Sequence, residues 1–214
     1  MKHRLIELLQ DDLLVLGSEV LPEMAAAQLM RYLAVWKQWN AKINLTADTD
    51  ERSVVEKHIY ESLQYSRAIS PFGKMADIGS GAGFPGIPVK VIFPELEIVL
   101  IESQRKRVNF LKTVIRSLEL KKITCVHGRA ESFPELLGLY DFVVLRHVLQ
   151  TAPSLRLGAS LLNKGGRLIL QAGLDISFNS GFTNSVGLTL VNEIFVKRFS
   201  GSPSNLMVFE HISA

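Results

Sequence analysis

Short apolar runs alternate with helical segments after Pro71, and this alternation constrains the fold more than any other feature. The runs are rich in Val, Ile and Leu and lie at residues 75–78, 98–101, 123–126, 142–145 and 168–170. Helices are predicted between them at residues 88–93, 104–118, 132–138 and 151–162. Strands separated by helices form βαβ units and a parallel sheet. Such a sheet is covered on both faces, which explains why the runs are continuously apolar.

The end of the chain breaks this alternation. Residues 188–198 and 205–212 have strand character, and only a short Ser- and Gly-rich turn at residues 200–204 joins them. A connection this short allows only antiparallel pairing. Five parallel strands followed by an antiparallel hairpin resemble the Rossmann-like α/β sheet of class I S-adenosylmethionine-dependent methyltransferases. A six-stranded dinucleotide-binding domain would need a further crossover helix here.

The first seventy residues are predicted to be helical. Pro22 is placed to open a helix that runs to about residue 40, and a second helix is predicted over residues 51–69. His58 falls on the apolar side of the second helix and is interpreted as a core residue. We expect a helical N-terminal extension, residues 1–70, followed by an α/β domain, residues 71–214, that resembles the S-adenosylmethionine-binding methyltransferase domain.

Composition excludes several classes of protein. The single cysteine, Cys125, excludes a disulfide framework and a multi-cysteine zinc site and favours a reducing, cytoplasmic compartment. It lies in a predicted strand, which indicates a core thiol. The histidines are scattered without metal-ligand spacing, so we expect no metal. The N-terminus lacks the features of a signal peptide, and no apolar run approaches the ~20 residues that span a bilayer.

The net charge of +3 is distributed unevenly. Residues 1–70 carry eight basic and ten acidic side chains, whereas residues 71–214 carry sixteen and eleven. Residues 105–122 alone hold seven cations and one acid. Such a segment is either a solvated helix face or a nucleic-acid contact.

A glycine-rich loop follows the first predicted strand. Gly79, Gly81 and Gly83 allow positive φ angles and close approach of a ligand, and the next helix start offers free N–H groups to an anion. With Gly86, the last two also fit the dinucleotide pattern G-x-G-x-x-G. The short helix predicted at residues 88–93 favours a different cofactor, but the glycines alone leave both alternatives open.

Polar residues follow the next three strands. Glu102 ends the second strand, where a carboxylate can accept hydrogen bonds from ribose hydroxyls. Ala130 and Glu131 follow the third, where they either receive an adenine or form a surface turn. Arg146 follows the fourth, at the edge where open sheets bind ligands. These positions indicate an adenosine cofactor without distinguishing S-adenosylmethionine from NAD.

The sequence lacks the motifs of several catalytic mechanisms. It contains no G-x-S-x-G nucleophile elbow, no P-loop, and no Asp/Asn-Pro-Pro-aromatic motif after the fourth strand. A methyl acceptor such as guanine N7 has a lone pair and no proton to remove. We therefore expect no catalytic acid or base and a mechanism that relies on alignment.

Several segments together resemble one family, the 16S ribosomal RNA guanine-N7 methyltransferase G family, also called glucose-inhibited division protein B. They are Trp-Asn at residues 39–40, Asn-Leu-Thr at 44–46, Lys-His-Ile-Tyr-Glu-Ser at 57–62, the loop at 77–88 with its Pro-Gly-Ile-Pro ending, and Lys-Arg-x-x-Phe-Leu at 106–111.

This resemblance implies methyl transfer from S-adenosylmethionine to guanine N7, with 16S ribosomal RNA or the small subunit as partner and no obligate protein partner or membrane. The implied cofactor residues, including the loop glycines and Glu102 on the ribose, are Gly79, Gly81, Gly83, Phe84, Glu102, Ala130, Glu131 and Arg146. The expected RNA contacts are Arg105, Lys106, Arg107 and Arg146.

The chain departs from the family pattern at its end. A Lys-Gly pair is usual after the fifth strand, where residues 171–173 read Gln-Ala-Gly, and an Arg usually precedes the last strand, where Ser204 stands. Leu145 and His147 replace the small residues that usually flank Arg146. Missing cations raise a second hypothesis, a methyltransferase-fold protein that binds RNA or ribosomes with altered or no activity. An NAD-dependent oxidoreductase is the third.

Overall fold

The computed structural model describes residues 1–146 and 152–212. Seven strands form one sheet in the order β3-β2-β1-β4-β5-β7-β6 within these residues. The strands are β1 Lys74–Ile78, β2 Glu97–Glu102, β3 Ile123–His127, β4 Tyr140–Leu145, β5 Leu162–Gly173, β6 Leu188–Val196 and β7 Ser204–His211. Strands β1 to β5 are parallel, and β6 and β7 form an antiparallel hairpin. The predicted strand pattern is thus confirmed.

The last strand in sequence is not at the edge of the sheet. Strand β7 lies between β5 and β6 and pairs antiparallel with both. Five of its eight residues are buried and none is exposed, whereas β6 is exposed at four consecutive positions. The hairpin therefore folds back so that its second strand completes the core.

The helices lie on both faces of this sheet. They are α1 Lys2–Leu9, α2 Pro22–Ile43, α3 (a continuous segment of α-helix Glu51–Ser53, π-helix Val54–Ile59, α-helix Tyr60–Leu63 and 3₁₀-helix Gln64–Arg67), α4 Gly86–Ile92, α5 Arg105–Ser117, α6 Ala152–Leu161 and α7 Ser180–Ser185. None of the helices in the described ranges is long and apolar enough to cross a membrane.

Several helix boundaries differ from the predictions, and α4 begins at Gly86, two residues before the predicted start. Helix α2 continues to Ile43 and ends where Asn44 adopts a left-handed conformation. The helix expected at residues 132–138 is reduced to two 3₁₀ turns, since Pro134 interrupts helical hydrogen bonding and Gly138 has a positive φ. The helix expected at 151–162 is observed as α6, while residue 151 and His147 lie outside the described residues.

The two faces of the sheet have separate apolar clusters. Met75 of β1 belongs to the cluster formed with α1 to α5, while its neighbour Ala76 belongs to the cluster formed with α6. This division follows the alternation of side chains along a strand. The first cluster runs without a break from Leu5 through α3 into the sheet. The domain boundary after residue 70 stays a prediction.

Candidate active site

Two cavities open at the carboxyl ends of β1, β2 and β4 and meet at Gly79. The loop cavity, about 270 Å³, lies between the glycine loop 79–84, the segment 45–48 and α3. The strand-tip cavity, about 230 Å³, lies between the ends of β1, β2 and β4, the turn after β3 and the start of α6. Carboxyl ends of parallel strands are where open α/β sheets bind ligands.

The glycine loop is held in a conformation that other residues would not accept. Gly79, Gly81 and Gly83 all have positive φ, at 72°, 55° and 86°. A Cβ on Gly83 would lie 2.6 Å from Ile87 and 3.1 Å from Leu111. The loop therefore packs directly on α4 and α5 and brings its backbone to the cavity wall.

Glu102 ties the tip of β2 to this loop. Its side chain is buried, with Oε2 accepting a hydrogen bond from the Gly81 N–H at 2.9 Å and Oε1 accepting one from the Gln104 N–H at 2.7 Å. Each carboxylate oxygen retains a second lone pair. The arrangement leaves Glu102 able to accept hydrogen bonds from a pair of hydroxyl groups.

Asp77 lies beneath the same loop and was not singled out by the sequence analysis. Its Oδ2 accepts a hydrogen bond from the Gly86 N–H at 3.0 Å, while its buried Oδ1 has no hydrogen-bond partner among the described residues. Burial raises the pKa of Asp77 to about 7, because the charged form is poorly solvated there. Only the fold reveals this burial, since a strand-end aspartate is ordinarily solvated.

Arg146 lines the loop cavity and is held by acceptors from distant parts of the chain. Its Nε donates to Gln171 Oε1 at 3.0 Å, Nη2 to Glu61 Oε2 at 3.0 Å, and Nη1 to Ser62 Oγ at 3.2 Å. The guanidinium carbon lies 5.8 Å from the centroid of the Phe84 ring. The residue after β4 thus joins the sheet, α3 and the glycine loop.

His58 is mostly buried, as its position on the apolar side of the helix predicts, but it also forms another wall of the loop cavity. Its ring stacks on Phe84 at a centroid distance of 5.1 Å, and Nε2 lies 2.9 Å from Asp48 Oδ2. Burial lowers the pKa of His58, and the positive charge of Arg146 lowers it further, which favours the neutral imidazole. Helical periodicity placed His58 on the inner side of α3 but could not reveal a cavity there.

Asp48 is the second residue that sequence reasoning missed. Its Oδ1 accepts a hydrogen bond from Lys57 Nζ at 2.7 Å, and this bond is the main reason why the pKa of Asp48 is lowered. Asn40 anchors the same segment, since its Oδ1 accepts from the Thr46 N–H at 2.9 Å. The sequence predicts a gap between these two helices after about residue 40 and before residue 51, but not the position of this segment over the glycine loop.

A model of the GidB family, described as rRNA small subunit methyltransferase G, matches residues 25–177. The chain belongs to this family. The Ribosomal RNA small subunit methyltransferase G of Clostridium botulinum (strain ATCC 19397 / Type A) is 40% identical over 152 residues, which cover 68% of this chain and 63% of that protein. Its counterpart from Desulfitobacterium hafniense (strain Y51) is 42% identical over 140 residues, covering 64% and 58%. The chain spans about three fifths of the length of these relatives.

A solved structure confirms the predicted fold class. The SAM-dependent methyltransferase from Aquifex aeolicus superposes with a TM-score of 0.59 at 14% sequence identity, covering 76% of this chain and 95% of that one. At this identity the likeness concerns the fold alone. With the strand order above, it establishes the class I methyltransferase fold for this member of the GidB family.

Within this GidB-family fold, the remaining predicted site residues occupy different surroundings. Glu131 lines the strand-tip cavity, whereas Ala130 is buried in the apolar cluster beneath it. Arg107 lines the loop cavity, and Arg105 and Lys106 are exposed at the start of α5 outside both cavities. Of the predicted cofactor residues, Gly79, Gly81, Phe84, Glu131 and Arg146 line the cavities. Gly83, Glu102 and Ala130 lie behind the cavity walls, and two of the RNA candidates lie outside both cavities.

No group of three His, Cys, Asp or Glu side chains suited to a metal ion occurs in the part of the chain that the structure describes. Cys125 is partly exposed beside α5, and burial raises its pKa to about 11. The thiol is therefore protonated at neutral pH, which is consistent with the predicted absence of a nucleophilic role.

Proposed function

We propose that this chain transfers a methyl group from S-adenosylmethionine to N7 of a guanine in 16S ribosomal RNA. One observation carries the proposal: in a chain of this family, the carboxylate of Glu102 at the tip of β2 is hydrogen-bonded to the Gly81 N–H of the glycine loop, at the carboxyl edge of the sheet. The substrate is free 16S ribosomal RNA or the small subunit, in the cytoplasm, and residues 71–214 form the cofactor-binding domain behind a helical extension.

The residues present fit this cofactor. Glu102 would hold the ribose hydroxyls through its remaining lone pairs, and Ala130 and Glu131 would flank the adenine at the strand-tip cavity. Gly79, Gly81, Phe84 and Arg146 would contain the amino-acid end at the loop cavity, and Gly83 would support the loop behind them. The strand-tip cavity would thus take the adenine end of the cofactor.

When bound, the cofactor supplies an activated methyl group on its sulfonium sulfur. Guanine N7 carries a lone pair and no proton, so this chain has no proton to remove and needs only to orient the base. The His58 ring, stacked on Phe84 and hydrogen-bonded to Asp48, would form one wall for that base. Arg105, Lys106, Arg107 and Arg146 would provide positive charge around the RNA.

The direct test is methylation of small subunits purified from a strain that lacks the gene, using cofactor labelled in the methyl group. We expect label in the RNA at a guanine that becomes sensitive to N7-specific strand cleavage. Glu102→Gln should raise the KM for the cofactor at least tenfold, whereas Glu97→Gln, at the exposed start of the same strand, should not change it.

Two outcomes would contradict the proposal. Absence of label under conditions where calorimetry demonstrates S-adenosylmethionine binding would favour an RNA- or ribosome-binding protein without this activity. Binding of NAD but not S-adenosylmethionine in the same calorimetric titration would favour the oxidoreductase.

A further inference from the structure

Helix α5 presents a row of cations on its outer face. Arg105, Lys112 and Arg116 are spaced by seven and four residues, so they lie along one side of the helix and are all exposed. The opposite side carries Val114 and Phe110, which are fully buried against the sheet and α2. The row therefore points away from the protein.

These cations are not neutralised within the protein. Arg105, Lys106, Arg107, Lys112, Arg116 and Lys121 make no ion pair with any described residue. Elsewhere many exposed cations are paired, as Lys37 is with Glu51 and Lys122 is with Glu95. The positive potential of this face is therefore available to a partner.

A groove accompanies the second half of the row. It has a volume of about 530 Å³ and lies between α5 and the edge strand β3, with Lys112, Arg116 and Lys121 in its wall. Among the described strands β3 pairs with β2 alone, so its outer side presents backbone N–H groups that can also donate to an anion. One acid, Glu119, lies in the same wall.

The row begins beside the candidate active site. Its first cation, Arg105, lies two residues before Arg107, which lines the loop cavity from another side of the helix. Arg116 lies eleven residues beyond Arg105, about 16 Å along the helix at 1.5 Å per residue. A linear partner whose reactive group occupied the loop cavity would therefore lie over the row if it followed the helix.

We propose that the groove formed by Lys112, Arg116, Lys121 and the edge of β3 binds the phosphodiester backbone of the RNA on one side of the target nucleotide. This inference rests on the proposed function and adds the path of the substrate across the enzyme. An unpaired line of cations fits a polyanion with evenly spaced charges. An acidic protein surface would instead need apolar or aromatic anchors at the centre of the contact.

The test compares two triple variants of equal charge. Lys112→Gln/Arg116→Gln/Lys121→Gln removes the groove cations. Lys2→Gln/Arg31→Gln/Lys164→Gln removes three exposed cations elsewhere that form no ion pair with a described residue. We expect the groove variant to bind protein-free 16S ribosomal RNA at least tenfold more weakly than the control variant. Its plot of log affinity against log salt should be less steep by about 2, since each lost phosphate contact removes ~0.7–0.9.

A third variant makes the same groove more positive instead of less positive. Glu119→Asn removes the acid from the groove, and Asn suits its positive φ of 53°. We expect it to bind the RNA more tightly and to steepen the salt dependence. Cofactor affinity, measured by calorimetry, should be unchanged in all these variants.

Equal affinity and equal salt dependence for the two triple variants would overturn the inference. So would a groove variant that loses affinity for the intact subunit but not for protein-free RNA, because the groove would then contact a protein. Wild-type chain that shows the groove-dependent RNA binding but no methyl transfer would instead refute the proposed function and leave this RNA contact standing.

Discussion

The guanidinium of Arg146 and the carboxylate of Glu61 form an ion pair at 3.0 Å in which both side chains are almost fully buried. Glu61 accepts a second charged hydrogen bond from Arg198 Nε at 2.7 Å, and Gln171 Nε2 donates to it at 3.0 Å. One carboxylate of α3 therefore holds together the end of β4, strand β5 and the C-terminal hairpin beside the loop cavity.

Removing the carboxylate of Glu61 should lower the free energy of unfolding substantially. Glu61→Ala would leave Arg146 and Arg198 without their anion, and breaking a buried ion pair in this way costs about 3–5 kcal/mol. Glu51→Ala, in the same helical segment, removes an exposed pair with Lys37 and should cost under ~1 kcal/mol. Urea unfolding measures both, and equal losses would contradict the role of Glu61.

Asp77 should make the protein less stable as the pH rises. Its pKa is about 7 in the folded chain, against 3.8 for an unperturbed aspartate, so the unfolded chain releases this proton at lower pH than the folded one. The contribution of Asp77 to the free energy of unfolding therefore falls as the pH rises from about 4 to 7, and it is constant above pH 7. Asp77→Asn should therefore raise Tm by a few degrees at pH 8 but not at pH 4.

The comparison is best made by thermal unfolding across that pH range. The difference in Tm between Asp77→Asn and wild type should grow from pH 4 to pH 7 and then level off. A difference that does not change with pH would show that Asp77 is ionised in the folded protein throughout.

Gly83→Ala should disrupt the glycine loop by steric overlap. The new Cβ would meet Ile87 and Leu111 in addition to the unfavourable positive φ. Gly138 has a similar φ of 68°, and a Cβ added there would meet no other atom. Gly138→Ala therefore measures only the cost of the positive φ, about 1 kcal/mol. We expect Gly83→Ala to lower the free energy of unfolding by at least ~2 kcal/mol more than Gly138→Ala does, and to weaken cofactor binding. Equal effects in urea unfolding and calorimetry would argue against tight packing of the loop.

The contact between His58 and Asp48 can be tested by titrating the imidazole. The carboxylate of Asp48 raises the pKa of His58 and partly opposes the effects of burial and Arg146. Asp48→Asn should therefore lower the pKa of His58 further. Asp50→Asn keeps the helix cap, since Asn caps as well as Asp, and should leave it unchanged. NMR titration measures both, and a rise in the Asp48→Asn variant would contradict the contact.

Much of the fold and part of the site follow from local pattern. The continuous apolar runs predict β1 to β5, the short turn at residues 200–204 predicts the antiparallel hairpin, and the glycine loop and Glu102 fall at the predicted strand ends. These features depend on side-chain alternation, on the length of a connection and on the conformational freedom of glycine. Each of these properties depends only on residues that are close together in the sequence.

Other features depend on residues that are far apart in sequence. The position of β7 between β5 and β6, the placement of His58 and Asp48 over the glycine loop, and the burial of Arg146 against Glu61 were decided by tertiary packing. Arg146 and Glu61 are separated by 85 residues, and no local periodicity encodes which acid a buried cation will meet.

The sequence by itself determined the class of sheet and the edge that holds the site. The tertiary structure decided which charges are buried together there, because the cost of desolvation depends on every element packed around them.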